Sequence, residues 1–560
     1  MLRKIRLTLA ILFFALITLL FLDFTGSVHA LFGWMARIQF LPALLAVNVG
    51  VVLFWVLLTL LFGRVYCSVI CPLGVMQDVV AWFSKRKKKN RYSYSPAKSW
   101  LRYGVLVLFV VALIAGIGSV VALLAPYSAY GRIAQNLFAP IWACGNNILA
   151  YLAERMNSYA FYETEVWVRS LPTFIVAGAT LLILVVLAWR SGRTYCNTIC
   201  PVGTVLGLLS RVSLFRPVID LNKCNGCKLC SRRCKASCIN ADAHQIDYSR
   251  CVVCMDCIDV CRQGAISYQY RFKRSETAPA AAHETAASQA ADHADSVSAT
   301  VSTSTSASAG TTSSTCAPFV HESGAAPLSS ESNVVTCTAS GISTINPLSD
   351  TGKMRRRFLT GLGLWLGAVA VKAQEKKVDG GLAVILDKKI PERLTPIVPP
   401  GARGLHHLTA HCTGCQLCVA VCPNGVLRPS TDPMRLMQPE MSYERGYCRP
   451  ECTKCSEVCP AGAILPITPA EKSAIQIGHA VWVKANCLPV TDGVACGNCA
   501  RHCPAGAIRM VPLDPNREGS PKIPIVNEER CIGCGACEDL CPARPFSAIY
   551  VEGHKRHRMI

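Results

Sequence analysis

Five apolar stretches without a charged residue stand out along the chain, and their lengths give the first structural prediction. They cover residues 7–22, 40–62, 104–125, 171–189 and 358–371. A helix needs about 20 apolar residues to cross about 30 Å of hydrocarbon, so the first four stretches predict transmembrane helices. The first stretch also permits a second interpretation, a signal peptide that is removed from the mature chain. The fifth stretch is short for a span.

The basic residues between these stretches predict the orientation of the helices. Lys and Arg are enriched in cytoplasmic loops. The segment before the first stretch and the loop after the second are basic: Arg3, Lys4, Arg6, Lys85, Arg86, Lys87, Lys88, Lys89 and Arg91. The intervening loop carries only Arg37, and residues 126–170 mix both signs of charge. We therefore predict that the chain begins in the cytoplasm and returns to it after the fourth helix.

Overall composition agrees with a membrane protein. The formal net charge is +22, and 51% of the residues are hydrophobic. A charge of this size is also typical of nucleic-acid-binding proteins, but here the basic residues lie beside the apolar stretches and form no separate patch. We therefore expect membrane lipid as a partner and no nucleic acid.

Residues 275–352 are rich in Ala, Ser and Thr and poor in large apolar residues, which predicts a disordered linker. Cys316 and Cys337 lie in it without a spacing partner, and no role is assigned to them or to Cys144. Residues 353–375 then begin with Lys-Met-Arg-Arg-Arg-Phe-Leu and continue into the fifth apolar stretch. This pattern is similar to a twin-arginine export signal, which would place the following residues outside. The alternatives are a plain basic-flanked anchor, or a buried helix that leaves the C-terminal half in the cytoplasm.

Cysteine spacing carries the strongest chemical signal. Six groups of four and two pairs account for 28 of the 32 cysteines. The spacing C-x2-C-x2-C-x3-C is typical of [4Fe–4S] ferredoxins, in which the fourth cysteine binds the neighbouring cluster. Residues 216–274 contain two such groups, and the crossed pattern predicts one cluster on Cys224, Cys227, Cys230 and Cys261 and another on Cys251, Cys254, Cys257 and Cys234. Lys235 and Arg262 replace the usual proline, and Cys238 is an extra thiol that can substitute for Cys234.

Four more groups lie in residues 376–560, and each ends in Cys-Pro. The predicted metal ligands are Cys412, Cys415, Cys418, Cys422; Cys448, Cys452, Cys455, Cys459; Cys487, Cys496, Cys499, Cys503; and Cys531, Cys534, Cys537, Cys541. Structural zinc is the alternative, but a zinc site needs four ligands in two pairs and has no use for a third close cysteine. The sequence therefore predicts about six [4Fe–4S] clusters.

A second repeat accompanies the apolar stretches. Gly-Arg-Val-Tyr-Cys-Ser-Val-Ile-Cys-Pro-Leu-Gly at 63–74 returns as Gly-Arg-Thr-Tyr-Cys-Asn-Thr-Ile-Cys-Pro-Val-Gly at 192–203. Cysteines four apart share one face of a helix, and the proline is expected to end or bend that helix. The hypothesis is that the two copies meet at a pseudo-twofold axis, where Cys67, Cys71, Cys196 and Cys200 form a redox or metal site beside a quinone pocket. The alternative is two buried structural thiol pairs.

The fold class that follows is an α-helical membrane part at 1–215, with four transmembrane helices in two repeated hairpins, plus α+β ferredoxin-like [4Fe–4S] domains. Up to about residue 274, these motifs resemble the NapH family of membrane quinol dehydrogenase components. From about residue 353 onward, the chain resembles the exported partner ferredoxin NapG, so it looks like a fusion of the two. In relatives of the four-group domain the first group pairs with the fourth and the second with the third, which the resemblance makes an expectation here.

The resemblance implies electron transfer from menaquinol or ubiquinol, through the clusters, to a periplasmic cytochrome or reductase of a nitrate-reductase type system. It also implies the bacterial inner membrane, with the first ferredoxin domain cytoplasmic and the second periplasmic. Two other functions stay open: a membrane redox sensor or oxidase-assembly factor, which also carries Cys-x-x-x-Cys-Pro beside a ferredoxin, and reverse flow from a cytoplasmic reductant. The terminal acceptor does not follow from the sequence.

Overall fold

The computed structural model of the protein describes residues 2–23, 26–87, 92–164, 166–272 and 386–560. The predicted linker and the twin-arginine-like segment lie outside the described residues. Helices make up the N-terminal part: α1 Leu2–Leu22, α2 Ser27–Phe32, α3 Trp34–Arg37, α4 Phe40–Leu45, α5 Val49–Phe62, α6 Val65–Val69, α7 Pro72–Lys87, α8 Ser99–Ile114, α9 Gly118–Leu124, α10 Pro126–Ile133, a π-helix Ala134–Phe138, α11 Ala139–Arg155, α12 Leu171–Ser191, α13 Thr194–Thr198 and α14 Pro201–Ser210.

The prediction of four transmembrane helices is wrong in its count. Within the described residues, only α1 and α12 have the length and apolar composition to cross a membrane as a single helix. The stretch 40–62 is divided between α4 and α5, and the stretch 104–125 between α8 and α9. An apolar run does not show where its backbone turns, and this is why composition alone predicted four continuous spans.

The two breaks share one hydrogen-bond pattern, which extends the repeat seen in the sequence. The Asn48 N–H donates to the Ala43 carbonyl at 2.9 Å, and the Ile117 N–H donates to the Ala112 carbonyl at 2.9 Å. Each bond closes the C-terminal end of the helix that precedes the break, α4 or α8. The residue just before the N–H donor has a positive φ, 55° for Val47 and 72° for Gly116. The Asn48 side chain then caps α5 by accepting a bond from the Val51 N–H.

The first ferredoxin unit follows α14 directly. Its elements are β1 Phe215–Ile219, α15 Leu229–Arg233, β2 Ile239–Asn240, β3 Gln245–Ile246, α16 Asp256–Val260 and β4 Ile266–Tyr270. Strands β1 and β4 pair antiparallel from Phe215 with Tyr270 to Ile219 with Ile266, and β2 pairs with β3. The two cysteine-bearing helices α15 and α16 lie between these pairs in the chain, so the unit has the expected α+β ferredoxin-like order.

The C-terminal unit contains α17 Leu405–His411, α18 Leu417–Ala420, β5 Leu427–Pro429, β6 Pro439–Met441, α19 Lys454–Val458, α20 Pro469–Ala474, β7 Ile475–Trp482, α21 Leu488–Thr491, α22 Asn498–Arg501, β8 Ile508–Pro512, β9 Lys522–Val526, α23 Ala536–Asp539 and β10 Ile549–Met559. Strand β5 pairs with β6, β8 with β9, and β7 with β10, all antiparallel. The β7–β10 pair joins the middle of this unit to its end, and its register shifts between Gly553 and Arg558.

The two cysteine-rich units contact opposite ends of the long helices. Arg3, at the start of α1, pairs with Asp256 of the first unit, whereas Phe21, near its end, packs beside Gly131, which lies against the Cys415 carbonyl. Helix α12 runs the other way, because Arg169 before it donates to the Val419 carbonyl and Gly192 after it lies against Lys235. A helix of 21 residues is about 32 Å long, so this distance separates the two units along the bundle.

Candidate electron-transfer sites

The structure brings the cysteines of the first ferredoxin unit together in the crossed arrangement. A small cavity is lined by the four thiols predicted for the first cluster, namely Cys224, Cys227, Cys230 and Cys261, together with apolar Ile219, Leu229 and Ile266. Four thiols around one apolar cavity match what a [4Fe–4S] cluster requires. Loop and helix positions explain the arrangement: Cys224 and Cys227 lie on the loop leading into α15, Cys230 lies in that helix, and Cys261 directly follows α16.

The second set of thiols in this unit contains one more member than a cluster needs. Cys234, Cys251 and Cys254 all raise the pKa of Cys257 after burial, because nearby thiolates disfavour a further negative charge. Cys238 is buried beside this set, with its Sγ 3.5 Å from the Sγ of Cys234. Cys238 therefore lies within reach of the same cluster position as Cys234, which is the ambiguity that the sequence leaves open.

In the C-terminal unit, the expectation that the first group pairs with the fourth is wrong. Burial raises the pKa values of Cys412, Cys415 and Cys418, and the nearby Cys459 of the second group raises them further. The pKa of Cys455 is likewise raised by burial, by Cys448 and by Cys422 of the first group. Groups that are adjacent in sequence therefore exchange their fourth cysteines. The physical reason is that α18 and α19, which carry the two groups, pack against each other in one core.

Groups three and four form the other pair. Cys541 of the fourth group raises the pKa values of Cys487 and Cys499. A small cavity is lined by Cys531, Cys534 and Cys537 together with Cys503 of the third group. The C-terminal unit thus consists of two successive halves, each with two groups of cysteines that pack together.

The chemistry of these thiols fits iron–sulfur clusters. Burial raises the pKa of Cys415 and of Cys534 to about 12, so these thiols stay protonated until a cation replaces the proton. Among the described residues, no three His, Cys, Asp or Glu side chains converge closely enough to hold a single metal ion. A cluster places its own iron and sulfide atoms between its thiolates and therefore needs this wider arrangement. When bound, each cluster supplies a one-electron carrier.

The two Cys-x-x-x-Cys-Pro motifs meet in the helical part. Cys67, Cys71, Cys196 and Cys200, hereafter the four-thiol site, are each at most 5% exposed. The other three thiols all raise the pKa of Cys200 after burial, which shows that the four lie close together. Each motif is split by a helix junction: α6 and α13 end before the second cysteine, and Pro72 and Pro201 begin the next helices. The proline thus starts a helix, where its missing N–H costs nothing.

Two buried arginines hold the motifs to each other reciprocally. Arg64 of the first motif donates to the Cys196 carbonyl at 3.2 Å, and Arg193 of the second donates to the Cys67 carbonyl at 2.6 Å. Gly74 and Gly203 complete the symmetry, since a Cβ on either would lie 2.4 Å from the carbonyl oxygen of Cys67 or Cys196. The pseudo-twofold axis expected from the repeat therefore passes through the four-thiol site.

A network of buried charges binds the first ferredoxin unit to the helices. Asp78 of α7 pairs with Arg193 at 2.8 Å, Lys235 at 3.0 Å and Arg6 at 3.2 Å. Lys235, which replaces the proline after Cys234, also pairs with Asp256 at 3.2 Å. The departure from Cys-Pro thus serves attachment, because proline has no charged group to offer α7.

One buried core contains the four-thiol site and thiols of both cysteine-rich units. It includes Cys234 and Cys238 on one side and Cys415 on the other. Toward the first unit, Arg64 donates to the Ser249 carbonyl at 3.2 Å, two residues before Cys251. Toward the second, the Tyr195 hydroxyl donates to the Leu124 carbonyl at 3.3 Å, and Ala122 of the same helix packs against Gly414, beside Cys415.

The C-terminal unit is docked by side chains that sequence reasoning did not identify. Asn136 donates to Gln416 at 2.8 Å, and the guanidinium groups of Arg428 and Arg445 both lie over the Trp167 ring, each 4.7 Å from its centre. The mixed charges of residues 126–170 predict only an outer loop, yet Arg132 in this segment is fully buried. Its partners are backbone carbonyls, which leave no trace in a sequence.

Asp78, Arg64 and Arg193 were also missed as functional residues, although a signal existed. Asp78 is the single acidic residue and Arg64 the single basic residue between positions 40 and 83. A lone charge in such an apolar run is costly to bury unless it is paired, and it therefore marks a partner elsewhere.

Comparison with known families agrees with this arrangement. A model described as a 4Fe-4S binding domain matches residues 44–91 and 173–221, a 4Fe-4S dicluster model matches 411–463 and 494–544, and a further 4Fe-4S binding domain model matches 244–267. The dicluster matches coincide with the two halves of the C-terminal unit. No solved structure matches the chain.

Three curated relatives illustrate the similarity. The methylamine utilization ferredoxin-type protein MauM of Methylophilus methylotrophus is 32% identical over 163 residues, 28% of this chain and 71% of MauM. The chain belongs to this ferredoxin-type family. The ferredoxin-type protein NapH of Haemophilus influenzae is 28% identical over 234 residues, 40% of this chain and 68% of NapH. The ferredoxin-type protein NapF of Escherichia coli K12 is 28% identical over 179 residues, 32% of this chain and 99% of NapF. The resemblance to a NapH-like polyferredoxin is thereby confirmed.

Proposed function

We propose that this iron–sulfur electron-transfer protein is a quinol-oxidising component that carries electrons along the helical bundle to the C-terminal unit. The observation that supports this most directly is the buried core that joins the four-thiol site to Cys234 and Cys415. Such a core keeps water away from the carriers and connects both ends of the bundle through packed side chains.

The different electron capacities of quinol and of the clusters support this direction of electron flow. A quinol gives up two electrons and two protons and becomes a quinone, whereas each cluster accepts one electron. The first ferredoxin unit offers two such acceptors next to each other, which suits the splitting of an electron pair. The C-terminal unit then delivers single electrons to a cytochrome or reductase, as the NapH resemblance implies.

The two units are proposed to lie on opposite sides of the bacterial inner membrane. Helices α1 and α12 both connect them, and both are candidate spans of 21 residues. The first unit is assigned to the cytoplasm because the basic residues at 3–6 lie at its end of α1. The C-terminal unit is then periplasmic.

The four-thiol site is proposed to be a redox site on this path. The experiment follows absorbance bleaching of the clusters when a reduced menaquinone analogue is added anaerobically to the full chain in lipid. Cys67→Ser and Cys196→Ser should stop quinol from bleaching the clusters of the C-terminal unit, while dithionite still reduces all clusters. Cys144→Ser is the matched control, because Cys144 belongs to no cysteine group, and it should bleach normally.

Two outcomes would contradict the proposal. If quinol bleaches no cluster in the unmodified chain although dithionite does, quinol is not the donor. If quinol bleaches the clusters of the C-terminal unit in both serine variants as fully as in the unmodified chain, the four-thiol site does not carry the electrons.

A further inference from the structure

A cavity of about 470 Å³ lies between α1 and α7, at the end of the bundle that carries the first ferredoxin unit. Its volume falls in the range of about 300–1,000 Å³ that is typical of sites for small organic ligands. Leu7 and Ile11 of α1 and Val79 and Trp82 of α7 form its apolar walls. All four are more than a third exposed, so the cavity opens through an apolar gap to the outside of the helix bundle.

The inner end of the cavity is made by the cluster-binding loops themselves. Lys235 and Asp256 line it. Lys235 directly follows Cys234, and Asp256 lies between Cys254 and Cys257. A molecule bound there contacts residues adjacent to the thiols of the second cluster site, which is the position that an electron donor needs.

The charges at this end favour a neutral polar group over an anionic lipid headgroup. Arg3, Arg6 and Lys235 are the cations that line the cavity, and all are paired with carboxylates: Arg3 with Asp256, Arg6 with Asp78, and Lys235 with both. A phosphate would have to break these pairs. The Nε of Arg6 is buried and has no hydrogen-bond partner among the described residues, so it remains a donor for a carbonyl or hydroxyl oxygen.

We propose that this cavity binds the headgroup of the quinol, with the apolar tail leaving between α1 and α7 into the membrane. The inference rests on the proposed function and gives it a place. Each quinol loses two electrons, one to each oxidised [4Fe–4S] cluster of the first ferredoxin unit. Its two hydroxyl protons pass to water on that side of the bundle, and a quinone remains.

The first test locates the ligand without measuring turnover. A photoreactive azidoquinone is bound to the full chain in lipid nanodiscs, irradiated, and mapped by mass spectrometry of the peptides. Labels on α1 and α7 that a menaquinone analogue competes away support the inference. Labels concentrated elsewhere, for instance around Trp142 near the other end of the bundle, would overturn it and leave quinol oxidation itself intact.

The second test fills the cavity. Val79→Trp should weaken binding of the menaquinone analogue about tenfold or more, while Val186→Trp should change it less than about twofold. Val186 is the matched control because it is a similarly exposed valine on α12 and does not line the cavity. Equal affinities in the two variants would overturn the inference.

The unmodified chain separates this inference from the proposed function. If quinol fails to reduce its clusters, the proposed function is wrong. If quinol reduces them but Val79→Trp binds the analogue normally, only the placement in this cavity is wrong.

Discussion

At the scale of single residues, Asp78 links the helical bundle to the first ferredoxin unit through its ion pairs. Burial alone would raise the pKa of this carboxyl, but Arg193, Lys235 and Arg6 hold it well below its usual range. Asp78 is therefore ionised at neutral pH and neutralises cations from α1, from the second Cys-x-x-x-Cys-Pro motif and from the ferredoxin unit. One carboxylate thus ties three parts of the chain together.

Asp78→Asn should destabilise the chain strongly, because it leaves three buried cations without their shared anion. Breaking a buried pair in this way costs about 3–5 kcal/mol. Asp259→Asn is the control, since Asp259 pairs with Arg3 at the surface and should cost about 1 kcal/mol or less. Thermal unfolding in detergent measures both variants, and similar losses would show that the network contributes little.

The close approach of Gly74 and Gly203 to backbone carbonyls gives a second prediction at this scale. Gly74→Ala and Gly203→Ala should loosen the four-thiol site, because a backbone oxygen at 2.4 Å has no room to move aside. Maleimide labelling of the four buried cysteines should increase in both. Gly178→Ala on α12 meets nothing within 4 Å and should label like the unmodified chain. Unchanged labelling in all three would mean that the helices shift without opening the site.

At the scale of elements, the sequence predicted where the apolar helices lie better than how they are divided. Helices α1 and α12 match their predicted stretches, because nothing in them opposes a continuous helix. Asn48 and Gly116 lie where the other two apolar stretches are divided into two helices. Neither residue type by itself predicts a break within an apolar stretch. An N-cap and a left-handed glycine depend on hydrogen bonds among a few neighbouring residues. Hydropathy averaged over 20 residues does not detect such local features.

Exchange of the fourth cysteines within each half of the C-terminal unit is open to a direct test. Cys459→Ser should alter the electron paramagnetic resonance signal of the cluster bound by Cys412, Cys415 and Cys418, whereas Cys541→Ser should leave that signal unchanged. The reason is that Cys459 lies beside the first group and Cys541 beside the third. An effect of Cys541→Ser on the first cluster would restore the pairing of the first group with the fourth.

Strand β10 contains a titratable group that makes its stability depend on pH. Burial, together with a smaller effect of the nearby His554, lowers the pKa of His557 to about 4. An unfolded histidine takes up its proton near pH 6.5, so stability that is complete above that pH is lost as the pH falls toward 4. The shift corresponds to about 3 kcal/mol at most.

Hydrogen exchange measures this effect locally. Amides of β10 should become less protected between pH 7 and pH 5 after correction for intrinsic exchange, and His557→Phe should remove most of the change. A variant with the same pH dependence as the unmodified chain would assign the effect to another group.

At the scale of the whole molecule, cysteine spacing predicted which thiols the fold brings together but not what surrounds them. The crossed set around Cys261 follows from local chain geometry, since the two groups are only 27 residues apart. The reciprocal arginines, the ion pairs of Lys235 and the docking of Gln416 on Asn136 join residues that are far apart in sequence. A single sequence does not show which distant residues form such pairs. It can indicate one partner only when that residue has an unusual charge for its surroundings or lies in a repeat.

The proposed orientation predicts opposite locations for two reporters. Alkaline phosphatase fused after Ile560 should be active, because the C-terminal unit is placed in the periplasm. A fluorescent protein fused after Phe272, in a chain that ends there, should fluoresce in the cytoplasm. Reporters that favour the same side would contradict the assignment of the two units to opposite faces.

The contacts that hold the C-terminal unit on the bundle, with two arginines over Trp167 and Asn136 on Gln416, also have a kinetic consequence. Separate carrier proteins must find each other by diffusion, and their exchange slows as they are diluted. Two carriers within one chain meet at an effective concentration that dilution cannot change. Electron delivery per chain should then be the same in sparsely and densely filled membranes, and only the final acceptor has to be encountered.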